Sequence, residues 1–216
     1  MFSEKQIGRQ ATFELLAERH GPELQTRLAS GRALVAGLGG LGSQVALALA
    51  RCGVGALRLI DFDRVEAANI HRQAYFLRHI GRLKTEALAE MIAEINPWVR
   101  VETRPFRLAA ENIAENLAGW PVIVEALDRP ESKAELVSTA LAAFPDAWVV
   151  CASGLAGLAE AGGIITRRAG RRLFVCGDGS SEIGPGVSLM PPRVMVCAGH
   201  QANAVVRILA GLEDED

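Results

Sequence analysis

Lysine is almost missing from this chain: it occurs only at positions 5, 84 and 133, and every other basic residue is arginine. We read that bias as genomic and draw no function from it. Cysteine is also sparse. Cys52, Cys151, Cys176 and Cys197 are widely separated, and no CxxC or CxH pair is present, which argues against a structural zinc site. No run of about 18 or more apolar residues occurs, so no membrane span is read. The start, MFSEKQIGRQ, lacks the hydrophobic core of a signal peptide. A cytoplasmic protein with reduced thiols is expected. The net charge of −2 supplies no whole-chain field to recruit nucleic acid or a membrane surface. There is no internal repeat or low-complexity segment.

What is present is apolar bulk. Half of the 216 residues are hydrophobic, and the mean hydropathy is +0.18, enough for a substantial core. The length predicts a single domain over 1–216. Within it, 1–30 is expected to be an N-terminal helical segment, broken at Gly21-Pro22, and 211–216 a flexible acidic tail. Strand and helix patterns then alternate: RALVAG, a helix rich in Ala and Leu, ALRLIDFD, a helix over 82–95, WVRVETRPF, a helix over 109–118, PVIVEALD, ESKAELVSTALAAF and DAWVVCAS. That alternation predicts an α/β fold with a doubly wound parallel sheet between two helical layers. The last third departs from it. Two shorter strands, AGGIITRR and RRLFVCGD, suggest a hairpin around Ala169-Gly170, so the sheet should be mixed there. A Gly/Pro/Ser loop and a closing helix follow.

Gly37-Leu38-Gly39-Gly40-Leu41-Gly42 fits G-x-G-x-x-G at a strand–helix junction. Gly37 permits the tight turn, Gly39 lets backbone approach a phosphate, and Gly42 lets helix and strand pack closely. The helix amides, with Gly40 among them, face an anion with the positive end of the helix dipole. Asp61 lies 19 residues after Gly42, at the end of the second strand, where a carboxylate can accept bonds from ribose hydroxyls. Nucleotide binding follows, but not the kind of nucleotide, because dinucleotide dehydrogenases use the same device. The next segment discriminates. Asn69, Arg72 and Gln73 come in close succession, and Lys84 opens the following helix. Such groups suit a triphosphate attacked by a carboxylate, where cations must neutralise accumulating negative charge. An NAD-dependent oxidoreductase would be expected to continue into an ordinary crossover helix and to carry a hydride-relay histidine.

With GLGGLGS, LIDFDRVEAANIHRQ, GRLKTEA, EINPWV, VIVEALD and HQANAVVRILAG in order, the sequence resembles the ThiF/MoeB/HesA family, bacterial relatives of ubiquitin-activating enzymes. The likeness runs from about Arg9 to Gly211. CASG, FVCGD and EIGPG look most like the compact thiamine-biosynthesis ThiF proteins. The resemblance implies a homodimer that uses ATP and Mg²⁺ to adenylate the C-terminal carboxylate of a ThiS-like ubiquitin-like sulfur carrier protein. It gives Asp61 to the ribose, and Asn69, Arg72 and Lys84 to the phosphates. Asp128 goes to Mg²⁺, Gln73 to a supporting role, Asp63 to its loop, and Arg9 to the partner subunit's active site. Other substrates of the same family, such as the molybdopterin carrier, a small molecule or tRNA, stay open. Longer members bind zinc through two CxxC pairs that this chain lacks, and the crossover-loop stretch SSEIGPGVSLM has no cysteine to form an acyl-disulfide. Cys176, like Cys52 and Cys151, is read as a core thiol.

Overall fold

The computed structural model describes residues 7–213. Two helices, α1 (Arg9–His20) and α2 (Pro22–Ser30), meet at Gly21-Pro22, where the proline takes the first helical position. Then come β1 (Arg32–Ala36), α3 (Gly40–Arg51) and β2 (Ala56–Ile60). A long connection with two short 3₁₀ turns leads to α4 (Lys84–Ile95), which stops before Asn96-Pro97. After it lie β3 (Arg100–Arg104), α5 (Ala110–Leu117), β4 (Val122–Glu125), α6 (Pro130–Ala143) and β5 (Trp148–Ala152). β6 (Ile165–Gly170), β7 (Leu173–Gly177) and α7 (Pro191–Leu209) close the chain.

The seven strands form one sheet in the order β3-β2-β1-β4-β5-β7-β6. All neighbours are parallel except β6, which runs antiparallel to β7, as the α/β reading anticipated. The hairpin turns at Arg171-Arg172, two residues later than the sequence suggested, because Gly170 still pairs with Leu173. Side chains alternate across β1: Ala33 and Val35 pack under α3, α4 and α7, while Leu34 and Ala36 face the α5–α6 layer. Among the described residues no helix is long and apolar enough to cross a membrane. Of the acidic tail, 214–216 lie outside the described residues, whereas Glu213 is held 2.5 Å from the Arg207 guanidinium.

Between β1 and β4 the order of connection reverses, and the crevice beyond the carboxyl ends of these two strands is where ligands enter such sheets.

Candidate active site

A cavity of about 970 Å³ opens at that crevice. The glycine turn forms one wall. Gly37 has φ +88°, and a Cβ there would sit 2.5 Å from the Ala126 carbonyl oxygen. At Gly42 a Cβ would come within 1.8 Å of the Gly37 carbonyl oxygen, so α3 can lie on β1 only with glycine at this point. Gly39 is the N-cap of α3 and gives its first turn no capping side chain, leaving amides for an anion. Gly37, Gly39 and Gly40 line the cavity. Gly42 does not reach the cavity; it packs beneath the turn, in the helix–strand contact read for it above.

Asp61 follows β2 and is nearly buried. Its Oδ2 accepts the Leu38 N–H at 2.7 Å, and its Oδ1 accepts the Asp63 N–H at 2.8 Å. The carboxylate therefore ties the glycine turn to the end of β2, a structural duty that the ribose reading had not foreseen. Burial pushes its carboxyl above the ordinary value, opposed first by Lys84 and then by these two amides. Lys84 is buried at the start of α4, with Nζ 2.7 Å from Asp63 Oδ2 and 3.8 Å from Asp61 Oδ2. Asn69 Oδ1 accepts the Glu66 N–H and closes the short turn that carries Arg72 into the cavity wall. Gln73 is buried, its Oε1 has no hydrogen-bond partner, and its Nε2 is the nearest group to a Cβ built at Gly39.

The opposite wall comes from the ends of β4 and β5 and from the segment after β7. Asp128 lines the cavity and is exposed. The N-cap of α6 is Arg129 and no side chain caps that helix, so helix capping does not occupy Asp128. Behind it, Glu125 is fully buried at the end of β4 and paired with Lys133. Burial pushes the Glu125 carboxyl up and Lys133 opposes that shift. Arg9 is not part of this cavity. It is exposed at the start of α1, beside a small hollow shared with Phe13 and Trp98.

Sequence reasoning missed two groups. Tyr75, the chain's single tyrosine, is buried and donates its hydroxyl to the Leu38 carbonyl, bracing the glycine turn from below. Asp178 gathers the amides of Ser180 and Ser181 at 2.8 Å each, and the Arg193 guanidinium at 2.5 Å. Arg193 also donates to the carbonyls of Ala159 and Glu160. The pair thus stitches together the two segments of the far wall and the start of α7. Asp178 closes the FVCGD segment, but nothing in the one-dimensional pattern pointed to its pairing with Arg193 or to the contact Tyr75 makes.

The amide of Ser181, ahead of that of Ser180, holds Asp178 well below its ordinary carboxyl value of 3.8. A depressed acid stabilises the fold at pH above its unfolded value, and that contribution is lost as pH falls through the folded value. Between pH 5 and pH 2.5, wild type should therefore lose more melting temperature than Asp178→Asn, which starts lower at neutral pH. Equal acid slopes in thermal melts would remove Asp178 from the acid response.

Among the described residues no group of three His, Cys, Asp or Glu is placed to hold a metal. Cys176 and Cys197 are buried, with thiols pushed up by burial to about 11 and about 12, far from a reactive thiolate. Cys52 and Cys151 are partly buried: Cys52 packs against the main core, and the Cys151 thiol lies 3.5 Å from the Phe174 carbonyl oxygen.

The ThiF-family profile matches residues 8–216. A sulfur carrier protein adenylyltransferase of Thermus thermophilus is 38% identical over 53% of this chain and 43% of its own length. The tRNA threonylcarbamoyladenosine dehydratase of Escherichia coli is 37% identical over 56% of this chain and 46% of its own length. The adenylyltransferase and sulfurtransferase UBA4 of Yarrowia lipolytica is 31% identical over 94% and 52%. The chain spans about half or less of the length of these curated relatives. Among solved structures, the E. coli dehydratase in complex with ATP superposes with a TM-score of 0.85 at 23% identity, covering 97% of this chain and 99% of that one. That likeness speaks for the fold, and the profile extends over almost every residue read above: the chain belongs to the ThiF family.

Proposed function

We propose that this protein is an ATP-dependent adenylyltransferase acting on the C-terminal carboxylate of a ubiquitin-like sulfur carrier protein. The observation that carries the reading is the convergence of Arg72, Lys84 and the uncapped start of α3 on one cavity, with Asp61 and Asp128 at its edges. A dinucleotide site needs the glycine turn and the acid, but not this pair of cations.

In the reaction, a carboxylate oxygen of the carrier attacks the α-phosphorus of ATP. The bond to the bridging oxygen breaks, and carrier-CO-AMP and pyrophosphate result. The carrier's carboxylate is already ionised at neutral pH, so no general base is needed. Asp61 accepts from the ribose while holding the turn in place. Asn69, Arg72, Lys84 and the amides of Gly39 and Gly40 bind the phosphates, and Gln73 supports the turn. Catalysis is positioning plus charge neutralisation. Asp128 offers one exposed carboxylate, and Mg²⁺ is commonly held by one or two carboxylates together with substrate phosphates, so the residues present fit a metal that arrives on the nucleotide. When bound, Mg²⁺ would offset phosphate charge.

Arg9 opens α1 outside its own cavity, so a role in adenylation requires a second copy of the chain. We assign it to the partner's site in a homodimer. Within the family, the CASG, FVCGD and EIGPG segments favour a thiamine-type carrier in a cytoplasmic pathway.

One set of ATP–pyrophosphate exchange measurements tests both points. Exchange should require a ThiS-like carrier with a free C-terminus. Exchange supported only by tRNA or by the molybdopterin carrier would reject the thiamine assignment, and NAD binding without ATP binding would reject adenylation. Mixing Arg9→Ala with Arg72→Ala subunits should restore activity, since one site in each mixed dimer then lacks neither arginine. No recovery after confirmed subunit exchange would return Arg9 to the surface.

A further inference from the structure

The turn between β4 and α6 is pinned from both sides. Glu125 Oε1 accepts the Leu127 N–H at 2.7 Å and the Lys133 ammonium at 2.9 Å, and Nζ lies 2.8 Å from Oε2. Lys133 also donates to the Leu127 carbonyl at 3.1 Å. Both peptide groups of Leu127 are thereby captured, and the second is the one that joins Leu127 to Asp128. The Glu125 carbonyl is itself held by Gln201 Nε2 at 2.9 Å. A buried carboxylate is costly unless it is paired and hydrogen-bonded. An apolar residue would serve the end of a buried strand better, so the acid has to be explained by the turn it holds. Two of the chain's three lysines line this cavity, Lys133 beside the carboxylate that ends β4 and Lys84 beside Asp63 in the loop after β2. They differ in use. Lys133 spends its contacts on Glu125 and Leu127, whereas Lys84 has one close carboxylate, that of Asp63.

We propose that Glu125 and Lys133 are a positioning pair that sets the orientation of Asp128 in the nucleotide cavity. The pair touches no reacting atom and acts through the Leu127–Asp128 peptide. This inference rests on the reading that Asp128 meets the metal carried by ATP.

Lys133→Met alone leaves Glu125 buried without its cation and is expected to melt at a lower temperature. The double variant Glu125→Gln/Lys133→Met removes that buried charge, keeps an acceptor for the Leu127 N–H and frees only the Leu127 carbonyl. Its melting temperature should return close to wild type. Binding of a fluorescent ATP analogue is then measured with Mg²⁺ and with EDTA. In EDTA the double variant should bind like wild type. The tightening produced by Mg²⁺ should shrink roughly ten- to a hundred-fold, the usual effect of losing a supporting partner of a metal ligand. Asp128→Asn is measured alongside. If Asp128→Asn keeps the full Mg²⁺ effect, the metal reading of Asp128 fails. If Asp128→Asn loses it while the double variant, melting like wild type, keeps it, the positioning role fails and the pair only stabilises the fold.

Discussion

Lys84→Met is expected to lower the rate of ATP–pyrophosphate exchange on the order of a hundred-fold or more, with a smaller change in the KM for ATP. The ammonium is buried between Asp61 and Asp63 at the floor of the cavity, where low dielectric strengthens its action on developing phosphate charge. Its removal also leaves two carboxylates facing each other without a cation. Lys84 is the largest influence holding the Asp61 carboxyl down against burial, so the variant's Asp61 should protonate at higher pH. Loss of ATP binding on acidification should accordingly begin at higher pH than in wild type. Asp63→Asn in the Lys84→Met background separates the two effects: it relieves repulsion between the acids and restores melting temperature, but it cannot restore rate. An exchange rate within a few-fold of wild type for Lys84→Met would take this lysine out of the chemistry.

Gly42→Ala is expected to abolish ATP binding and to destabilise the protein by about 1–3 kcal/mol or more. The added methyl would meet the Gly37 carbonyl, a backbone atom that cannot rotate away. Displacing Gly37 disturbs a residue already held at φ +88° against Ala126, so the whole turn must shift. Gly39→Ala is the contrast. A Cβ there meets nothing closer than Gln73 Nε2 at 3.8 Å, so melting should change far less than for Gly42→Ala. ATP affinity should still fall at least roughly ten-fold, because the methyl takes the space through which phosphate reaches the backbone. Thermal melts and nucleotide titrations on both variants decide the matter. Gly39→Ala with wild-type affinity would sink the close-approach argument, and Gly42→Ala with a wild-type melt would sink the packing argument.

These two variants also mark what was legible in the sequence. The glycine turn and Asp61 could be read because each lies at a strand end, where backbone direction predicts placement. Arg72 and Lys84, well beyond β2, could be read only from the succession of polar and basic residues that follows it. The antiparallel hairpin was read from two short apolar runs. The Glu125–Lys133 clamp was not, since VIVEALD reads as a strand with an acid near its end and Lys133 as one more polar residue of a helix. Their meeting depends on how α6 folds back over the turn. Asp178 and Arg193 escaped for a similar cause: their contact crosses a loop whose Gly, Ser and Pro content gives no periodicity to project. Asp61 follows β2 as read, but nothing in a linear pattern says that Leu38 would offer its amide to it.

The strand order has a consequence for how the chain is born. β1 lies between β2, which follows it directly, and β4, which is not made until residues 122–125. At ribosomal speeds of about 5–20 residues per second, one edge of β1 stays open for several seconds after the strand emerges. Leu34, Val35 and Ala36, all fully buried in the finished sheet, border that open edge. An unpaired apolar edge is a template for wrong partners, so the nascent chain passes through an interval in which a holding chaperone has its strongest claim on it. Gly37 leans on Ala126, so the glycine turn also lacks its backstop until the same moment. A nucleotide bound as proposed would stabilise this protein by mass action only once β4 is in place. It would then protect the completed chain and offer nothing to the half-made one.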